Sequence, residues 1–559
     1  MIFSHINELV ALCAAHGVKE AIISPGSRSA AITLTFEAHP DINVRMIPDE
    51  RSAAFIAMGI AQQAQQPVVL VCTSGSATLN YAPAVAEAFY QEVPLIVITA
   101  DRPPEWVDQY DGQTIRQEGI YANHIKSPYN LPVDLSHSDA KWQANRMVNE
   151  ALLTAQTAPF GPVHVNVPLR EPFYPEAHEE ISFETPRVIR KFAVDQLPNE
   201  AHWELLLDQW KSATNCWIIV GHNDPSKELT AALSTLKPYA NVFSDIIGNQ
   251  QTEGVITSQD LFLQPANFGA FTTEAPDLII TIGKSLISKN LKLFLRKNPP
   301  KQHWHINQGE RLNDSLQHLS HWIDARPAQF LNELSIRIKD SKSLSNSFWT
   351  DRNAVAKEAL RKHLAQTEYS ELKATHEVMQ AMPESTTLHL ANSMAVRYAN
   401  FVGVDSNRTT VYSNRGTSGI DGCNSTALGA ALATDQMVTL ITGDLAFFYD
   451  RNAFWNSEKF NNLRIIILNN DGGGIFGMIK GPRQQTAYQK LFQTPHGLTA
   501  KKLCKEFGMS YLSVKNSVEL KDVLKHFYAK SKTAKILEIF TDSEESAKDL
   551  TSLKQALVV

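Results

Sequence analysis

The stretch VTLITGDLAFFYDRNAFWNSEKFNNLRIIILNNDGGG, from Val438 to Gly474, decides how the rest of the chain is read. Val438–Thr442 is a short apolar, β-rich run that ends at Gly443-Asp444, where a helix-like segment begins. Arg464–Leu468 is a second such run, ending at Asn469-Asn470. A strand, a covering helix and a second strand predict a parallel βαβ unit, with both polar tips on the carboxyl edge. Open parallel sheets bind ligands at that edge, and helix N-termini there offer free N–H groups to phosphate oxygens.

The two tips carry a matched set of oxygens. Asp444 offers a carboxylate and Asn470, 26 residues later, an amide oxygen; the glycines at 472–474 let a backbone carbonyl turn inward. Hard oxygen ligands that leave room for a diphosphate suit Mg²⁺, with Mn²⁺ as the alternative. The plainer alternative is an Asp that caps a helix and an Asn-Asp-Gly turn, neither of which needs a metal.

Working outward, the stretch from Val68, VVLVCTSGSATLNYAPAVAEAFYQEVPLIVITAD, repeats the same order of strand, Gly turn, helix, strand and polar turn. Gly75 to Asp101 and Gly443 to Asn469 are equally spaced, and a small-residue helix precedes each stretch, Ala53–Ala61 and Ser425–Ala433. Matching order over several elements predicts duplication of one domain. Further runs at Ala21–Ser24, Val44–Ile47, Trp217–Val220 and Leu278–Ile282 extend the rhythm. The predicted class is α/β, with three doubly wound parallel-sheet domains. Pro168–Pro186, rich in Pro and Glu, and the serine-rich Lys339–Asn346 read as boundaries, giving segments 1–180, 181–345 and 346–559.

Composition narrows the class. A chain of 559 residues with 43% hydrophobic and 20% charged residues is an ordinary globular protein of about three domains. A net charge of −6 argues against a general nucleic-acid binder. Five scattered cysteines, with no C-x-x-C pair, favour a reducing compartment over a disulfide or zinc framework. The N-terminus reads as an amphipathic helix rather than a signal peptide, and the apolar runs are too short to span a membrane, so the expected location is cytoplasmic. His164, His303 and His305 alternate with apolar residues and read as half-buried structural positions. The middle segment has no G-x-G-x-x-G run for a dinucleotide.

The Gly443-Asp444…Asn469-Asn470 pattern resembles the diphosphate-binding motif of thiamine diphosphate-dependent enzymes. That resemblance implies thiamine diphosphate held through a metal by Asp444, Asn470 and Gly472, with Gly443, Ile420 and Ile475 against the cofactor. It makes 1–180 the pyrimidine-binding domain and 346–559 the diphosphate-binding domain. It also assigns Glu50, rather than Asp49, as the catalytic carboxyl facing the aminopyrimidine. Burial raises such a group's pKa and keeps it protonated. Glu50 and the metal residues lie in different copies of the duplicated domain. In the family they meet between subunits, which implies a homo-oligomer, dimer or tetramer.

Four further blocks are narrower: Ile23-Ser24-Pro25-Gly26-Ser27-Arg28-Ser29; Ala100-Asp101-Arg102-Pro103-Pro104-Glu105 with Gln113 and Ile115-Arg116-Gln117; Asn392-Ser393-Met394-Ala395-Val396-Arg397; and Ser413 to Gly422. These resemble the 2-succinyl-5-enolpyruvyl-6-hydroxy-3-cyclohexene-1-carboxylate synthase family of menaquinone biosynthesis. The resemblance implies decarboxylation of 2-oxoglutarate and conjugate addition of the succinyl carbanion equivalent to isochorismate. Both substrates are dicarboxylates, which planar guanidinium forks suit. By motif position, Ser393, Arg397 and Arg415 would hold the succinyl end, and Ser27, Arg28, Arg102, Gln113 and Lys289 would contact isochorismate. Asn290 stands where the family often has Arg, which puts one contact in question. The alternatives are an acetohydroxyacid synthase-like carboligase, for which one carboxylate clamp would suffice, and an inactive thiamine-fold binding subunit.

Overall fold

Each long strand is built from residues that both faces of a covered sheet demand. The computed structural model describes residues 4–176, 179–192, 194, 196–309, 311–478, 481 and 484–558. Among these, three sheets form and every paired strand is parallel. The first contains β1 (Glu20–Ile23), β2 (Asn43–Met46), β3 (Val68–Cys72), β4 (Leu95–Asp101), β5 (Pro128–Asn130) and β6 (Val163–Pro168). The second contains β7 (Cys216–Val220), β8 (Asn241–Ser244), β9 (Leu278–Ile282), β10 (Gln302–Ile306) and β11 (His321–Ile323). The third contains β12 (Thr386–Leu390), β13 (Thr409–Ser413), β14 (Val438–Gly443), β15 (Leu463–Asn469), β16 (Ser510–Val514) and β17 (Lys535–Phe540). Strands β3, β4, β6, β7 and β15 are buried along their whole length, which is why they read as continuous apolar runs.

The first and third sheets share one strand permutation. The first runs β2-β1-β3-β4-β6-β5 and the third β13-β12-β14-β15-β17-β16, each position matching in order. This is the duplication expected from the paired stretches. The two small-residue helices, Glu50–Ala64 and Cys423–Leu432, pack on each other and join the copies within one chain. Their backbones touch: a Cβ at Gly59 would lie 2.0 Å from Thr426 O, and one at Gly429 2.1 Å from Ile56 O. The central sheet runs β11-β10-β9-β7-β8, a doubly wound order of its own.

Two expectations need adjusting. The serine-rich stretch Lys339–Asn346 is not a free spacer. Leu344 is buried and its carbonyl accepts from Cys216 N at 3.1 Å, while Asn346 N donates to Asn241 Oδ1 at 2.8 Å. His164, His303 and His305 are fully rather than half buried, because threonine hydroxyls partner their rings. Thr99 Oγ1 lies 2.7 Å from His164 Nε2, and Thr281 Oγ1 lies 2.9 Å from both His303 Nε2 and His305 Nδ1. The Pro168–Pro186 stretch has no helix or strand beyond the end of β6 among its described residues; 177 and 178 lie outside them. All five cysteines are buried and unpaired. Among the described residues, no helix is long and apolar enough to cross a membrane.

Candidate cofactor and substrate site

Neighbouring parallel strands put their tips side by side. In the β14–β15 pair Gly443 stands opposite Leu468, so the residues just beyond, Asp444 and Asn469-Asn470, share the carboxyl edge. Asp444 opens the helix Asp444–Tyr449 and is buried. Its Oδ1 accepts from Leu445 N at 2.7 Å and its Oδ2 from Gly472 N at 2.9 Å. Burial raises its pKa and those two N–H groups oppose the rise. His496 Nε2 lies 3.3 Å from the same Oδ2.

Asn470 Nδ2 donates to Glu371 Oε1 at 2.8 Å, whereas its Oδ1 is buried without a hydrogen-bond partner. A buried unpartnered oxygen beside a carboxylate is costly for a simple turn and fitting for a cation ligand. Gly472 has φ +145, and a Cβ there would strike Gln493 O at 2.2 Å, so only glycine lets the chain turn here. At Gly443 a Cβ would meet nothing within 4 Å, so the strand tip is open there. Ile475 is half-buried in the following 3₁₀ turn, Gly474–Met478. Among the described residues no group of three or more His, Cys, Asp or Glu could hold a metal. Asp444 and Asn470 instead offer one carboxylate and one amide oxygen, while the Gly472 carbonyl accepts from Gly474 N at 3.0 Å.

Glu371 was not singled out from the sequence. It is buried, and Tyr398 Oη donates to its Oε2 at 3.0 Å. Burial raises its pKa to about 7, with the Asp444 charge a smaller contributor in the same direction. Tyr398 follows Arg397 on the helix Met394–Val402.

Ser393 precedes that helix with φ +72 and ψ −125, a strained conformation for a residue with a Cβ. Its carbonyl accepts from Arg397 Nη1. Arg415 Nη1 donates to Asn392 Oδ1 at 3.1 Å and its Nε is buried without a partner. Burial lowers both guanidinium pKa values, and the Arg397 charge lowers Arg415 further, so the two cations are neighbours. Two half-buried like charges therefore stand side by side, one with an unpaired donor, an arrangement that suits a carboxylate. Ile420, in the loop before Cys423–Leu432, is 36% exposed and is not a core isoleucine.

The first sheet gathers a second set at its own carboxyl edge. Ser27 Oγ lies 3.3 Å from Tyr174 Oη; Arg28 is buried over the Phe173 ring and donates to Leu169 O at 3.0 Å. Arg102 pairs with Asp111 at 3.2 Å and donates to Gly112 O at 2.9 Å. Gln113 is exposed at φ +54, its backbone 3.1 Å from where a Gly75 Cβ would be. Glu50 opens the helix Glu50–Ala64 half-buried, and its carboxylate has no hydrogen-bond partner among the described residues. Its charge adds to burial in pushing up the Cys72 thiol, which places it over the end of β3.

Lys289 begins the helix Lys289–Lys297 and is exposed. Asn290 turns inward instead: its Nδ2 donates to Asp260 O at 3.3 Å. The structure thus brings Asp444, Asn470 and Gly472 together, and Ser393, Arg397 and Arg415 together. It collects Ser27, Arg28, Arg102, Gln113 and Glu50 on the other copy. Among the described residues, no hydrogen bond or ion pair joins Glu50, Arg28 or Gln113 to either of the first two groups within the chain.

Comparison with known proteins identifies the family. Residues 6–120 match the family described as "Thiamine pyrophosphate enzyme, N-terminal TPP binding domain". Residues 241–390 match "Middle domain of thiamine pyrophosphate" and residues 393–539 "Thiamine pyrophosphate enzyme, C-terminal TPP binding domain". Similar full-length proteins bear the name 2-succinyl-5-enolpyruvyl-6-hydroxy-3-cyclohexene-1-carboxylate synthase. That of Cytophaga hutchinsonii is 41% identical over 545 residues, covering 97% of each chain. That of Flavobacterium psychrophilum is 39% identical over 541 residues, covering 96% of each. That of Porphyromonas gingivalis is 36% identical over 569 residues, covering 98% of this chain and 96% of the other.

Proposed function

The chain belongs to the 2-succinyl-5-enolpyruvyl-6-hydroxy-3-cyclohexene-1-carboxylate synthase family of thiamine pyrophosphate enzymes, and from that premise we propose how its residues divide the work. It is a thiamine diphosphate-dependent synthase of menaquinone biosynthesis. The reaction is decarboxylation of 2-oxoglutarate and conjugate addition of the succinyl unit to isochorismate, which makes it a transferase. When bound, thiamine diphosphate supplies the electron sink that lets a 2-oxo acid lose CO₂ and act as a carbon nucleophile.

Asp444, Asn470 and the Gly472 carbonyl would hold Mg²⁺ or Mn²⁺, whose charge would offset that of the diphosphate. Gly443 leaves room for that group, and Ile420 and Ile475 supply apolar contact. Glu50, half-buried with its carboxyl unpaired among the described residues, would exchange a proton with the aminopyrimidine. Ser393, Arg397 and Arg415 grip the distal carboxylate of 2-oxoglutarate. Ser27, Arg28, Arg102, Gln113 and Lys289 orient isochorismate, their charges offsetting its two carboxylates. Asn290, turned toward Asp260, takes no part. Glu50 and the metal residues lie in different copies of the duplicated domain, and residues so placed meet between subunits in the family, which supports a homo-oligomer. Domain limits of 1–180, 181–345 and 346–559 follow the three sheets. Five unpaired cysteines support a reducing, cytoplasmic setting.

The observation that carries this reading is Asn470 Oδ1, buried and unpartnered at the tip of the strand that pairs with the one leading into Asp444. Incubation with thiamine diphosphate, Mg²⁺ and 2-oxoglutarate, with and without isochorismate, tests it. The expected result is CO₂ release coupled to a succinylated product only when both substrates are present. Preferential use of pyruvate, or no turnover of 2-oxoglutarate, refutes it.

A further inference from the structure

A side-chain amide has nearly the same shape either way round, so its partners decide which end faces a ligand. At Asn470 the deciding partner is Glu371. Its Oε1 accepts from Asn470 Nδ2 at 2.8 Å and its Oε2 accepts from Tyr398 Oη at 3.0 Å, so both carboxyl oxygens are placed as acceptors. The amide nitrogen is therefore committed to Glu371, and Oδ1 is left as the buried, unpartnered end.

Glu371 is itself held from several sides. Tyr398 Oη donates to Oε2 at 3.0 Å, Thr541 Oγ1 lies 3.5 Å from Oε1, and the Glu371 backbone N donates to Ser546 Oγ at 3.2 Å. A carboxylate this constrained cannot swing away to let the amide turn over.

We propose that Glu371 is a positioning residue that fixes the sense of the Asn470 amide, so that oxygen rather than NH₂ is offered to the divalent cation. The inference rests on the reading of Asp444 and Asn470 as cation ligands. With the isosteric E371Q, the side chain at position 371 can donate as well as accept, and the Asn470 amide is free to reverse. Partners of metal ligands that fix their orientation are worth about 10–100-fold in metal affinity.

The test is Mn²⁺ titration followed by electron paramagnetic resonance, in the presence of thiamine diphosphate, on the full chain. The variants are E371Q, N470D and the double variant E371Q/N470D, with thermal unfolding recorded for each. E371Q is expected to weaken Mn²⁺ binding by about tenfold or more. In the double variant the new amide at position 371 donates to a carboxylate whose two oxygens are equivalent, so binding returns toward that of the wild type. Failure of the wild type to bind Mn²⁺ removes the cation reading itself. Wild-type affinity in E371Q overturns the positioning role alone. Equal weakness in E371Q and the double variant, with lowered thermal stability in both, marks Glu371 as merely structural and also overturns it. Should E371Q not fold, the double variant is compared with N470D alone, in which two carboxylates face each other. Tighter binding by the double variant supports the proposal, and equal or weaker binding overturns it.

Discussion

Asn452 donates its side-chain amide to Asp49 Oδ2 at 2.7 Å, across 403 positions of the chain. The other oxygen, Asp49 Oδ1, accepts from Ser52 N at 3.1 Å and caps the helix that Glu50 begins. Two adjacent acids are thereby given different tasks. Asp49 is occupied by structure, and Glu50 keeps its carboxyl unspent.

Asp49→Ala removes a cap and an interdomain hydrogen bond, and should cost about 1–3 kcal/mol of stability. Asp49→Asn, which keeps one oxygen to accept from Ser52 N and can donate to a reversed Asn452 amide, should recover much of it. Urea unfolding of the two variants checks this; an Ala variant as stable as the parent contradicts the structural role.

Glu50→Gln should retain the fold and thiamine diphosphate binding while turnover drops by about 10²–10⁴-fold, the usual contribution of a proton-handling group. Calorimetric cofactor binding alongside steady-state rates measures both. Near-normal turnover with cofactor bound would sink the assignment.

Arg397→Ala should impair use of 2-oxoglutarate far more than use of isochorismate. A charge-assisted hydrogen bond is worth about 1.5–3 kcal/mol, so kcat/KM for 2-oxoglutarate should fall by about 10–100-fold. Equal losses for both substrates speak against a dedicated grip on the succinyl end.

Burial lowers the His164 pKa from its ordinary 6.5 to about 3. Unfolded chains therefore bind this proton first as the pH falls through 6.5, and the native state loses stability down to about pH 3. Between pH 7 and pH 5 the loss from this one group is about 2 kcal/mol. His164→Gln does not titrate, so its stability deficit relative to the parent should shrink by about that amount at pH 5. Buried Asp245 and Asp450, raised by burial to about 6 and about 7, act in the opposite sense but are common to both proteins and cancel in the comparison. Denaturation at the two pH values, with an unchanged deficit, would refute the account.

The strand rhythm could be read because strands buried on both faces have to be continuously apolar. The Asp444–Asn470 pairing could be read because adjacent parallel strands end side by side. Glu371 could not. Ser370-Glu371 is an ordinary cap followed by an acidic first turn, and only the fold brings it to Asn470, 99 positions away. His303 and His305 misled for a similar reason: alternation predicts one wet face, but Thr281 supplies a hydroxyl that lets both rings be buried. The resemblance of the two small-residue helices was visible from their composition. Their mutual contact was not, since no local pattern says which glycines will lie under a neighbour's carbonyl.

That crossing is reciprocal. Gly59 lies three residues beyond Ile56 and covers Thr426, while Gly429 lies three beyond Thr426 and covers Ile56. One polypeptide thus encloses a pseudo-dyad, each ancestral half reading the other's backbone at an equivalent point. From the same two helices hang Glu50, at the start of one, and the loop bearing Arg415 and Ile420, leading into the other. A methyl group wedged at either glycine would spread both leads at once, so one backbone crossing fixes how far apart the two helix starts stand.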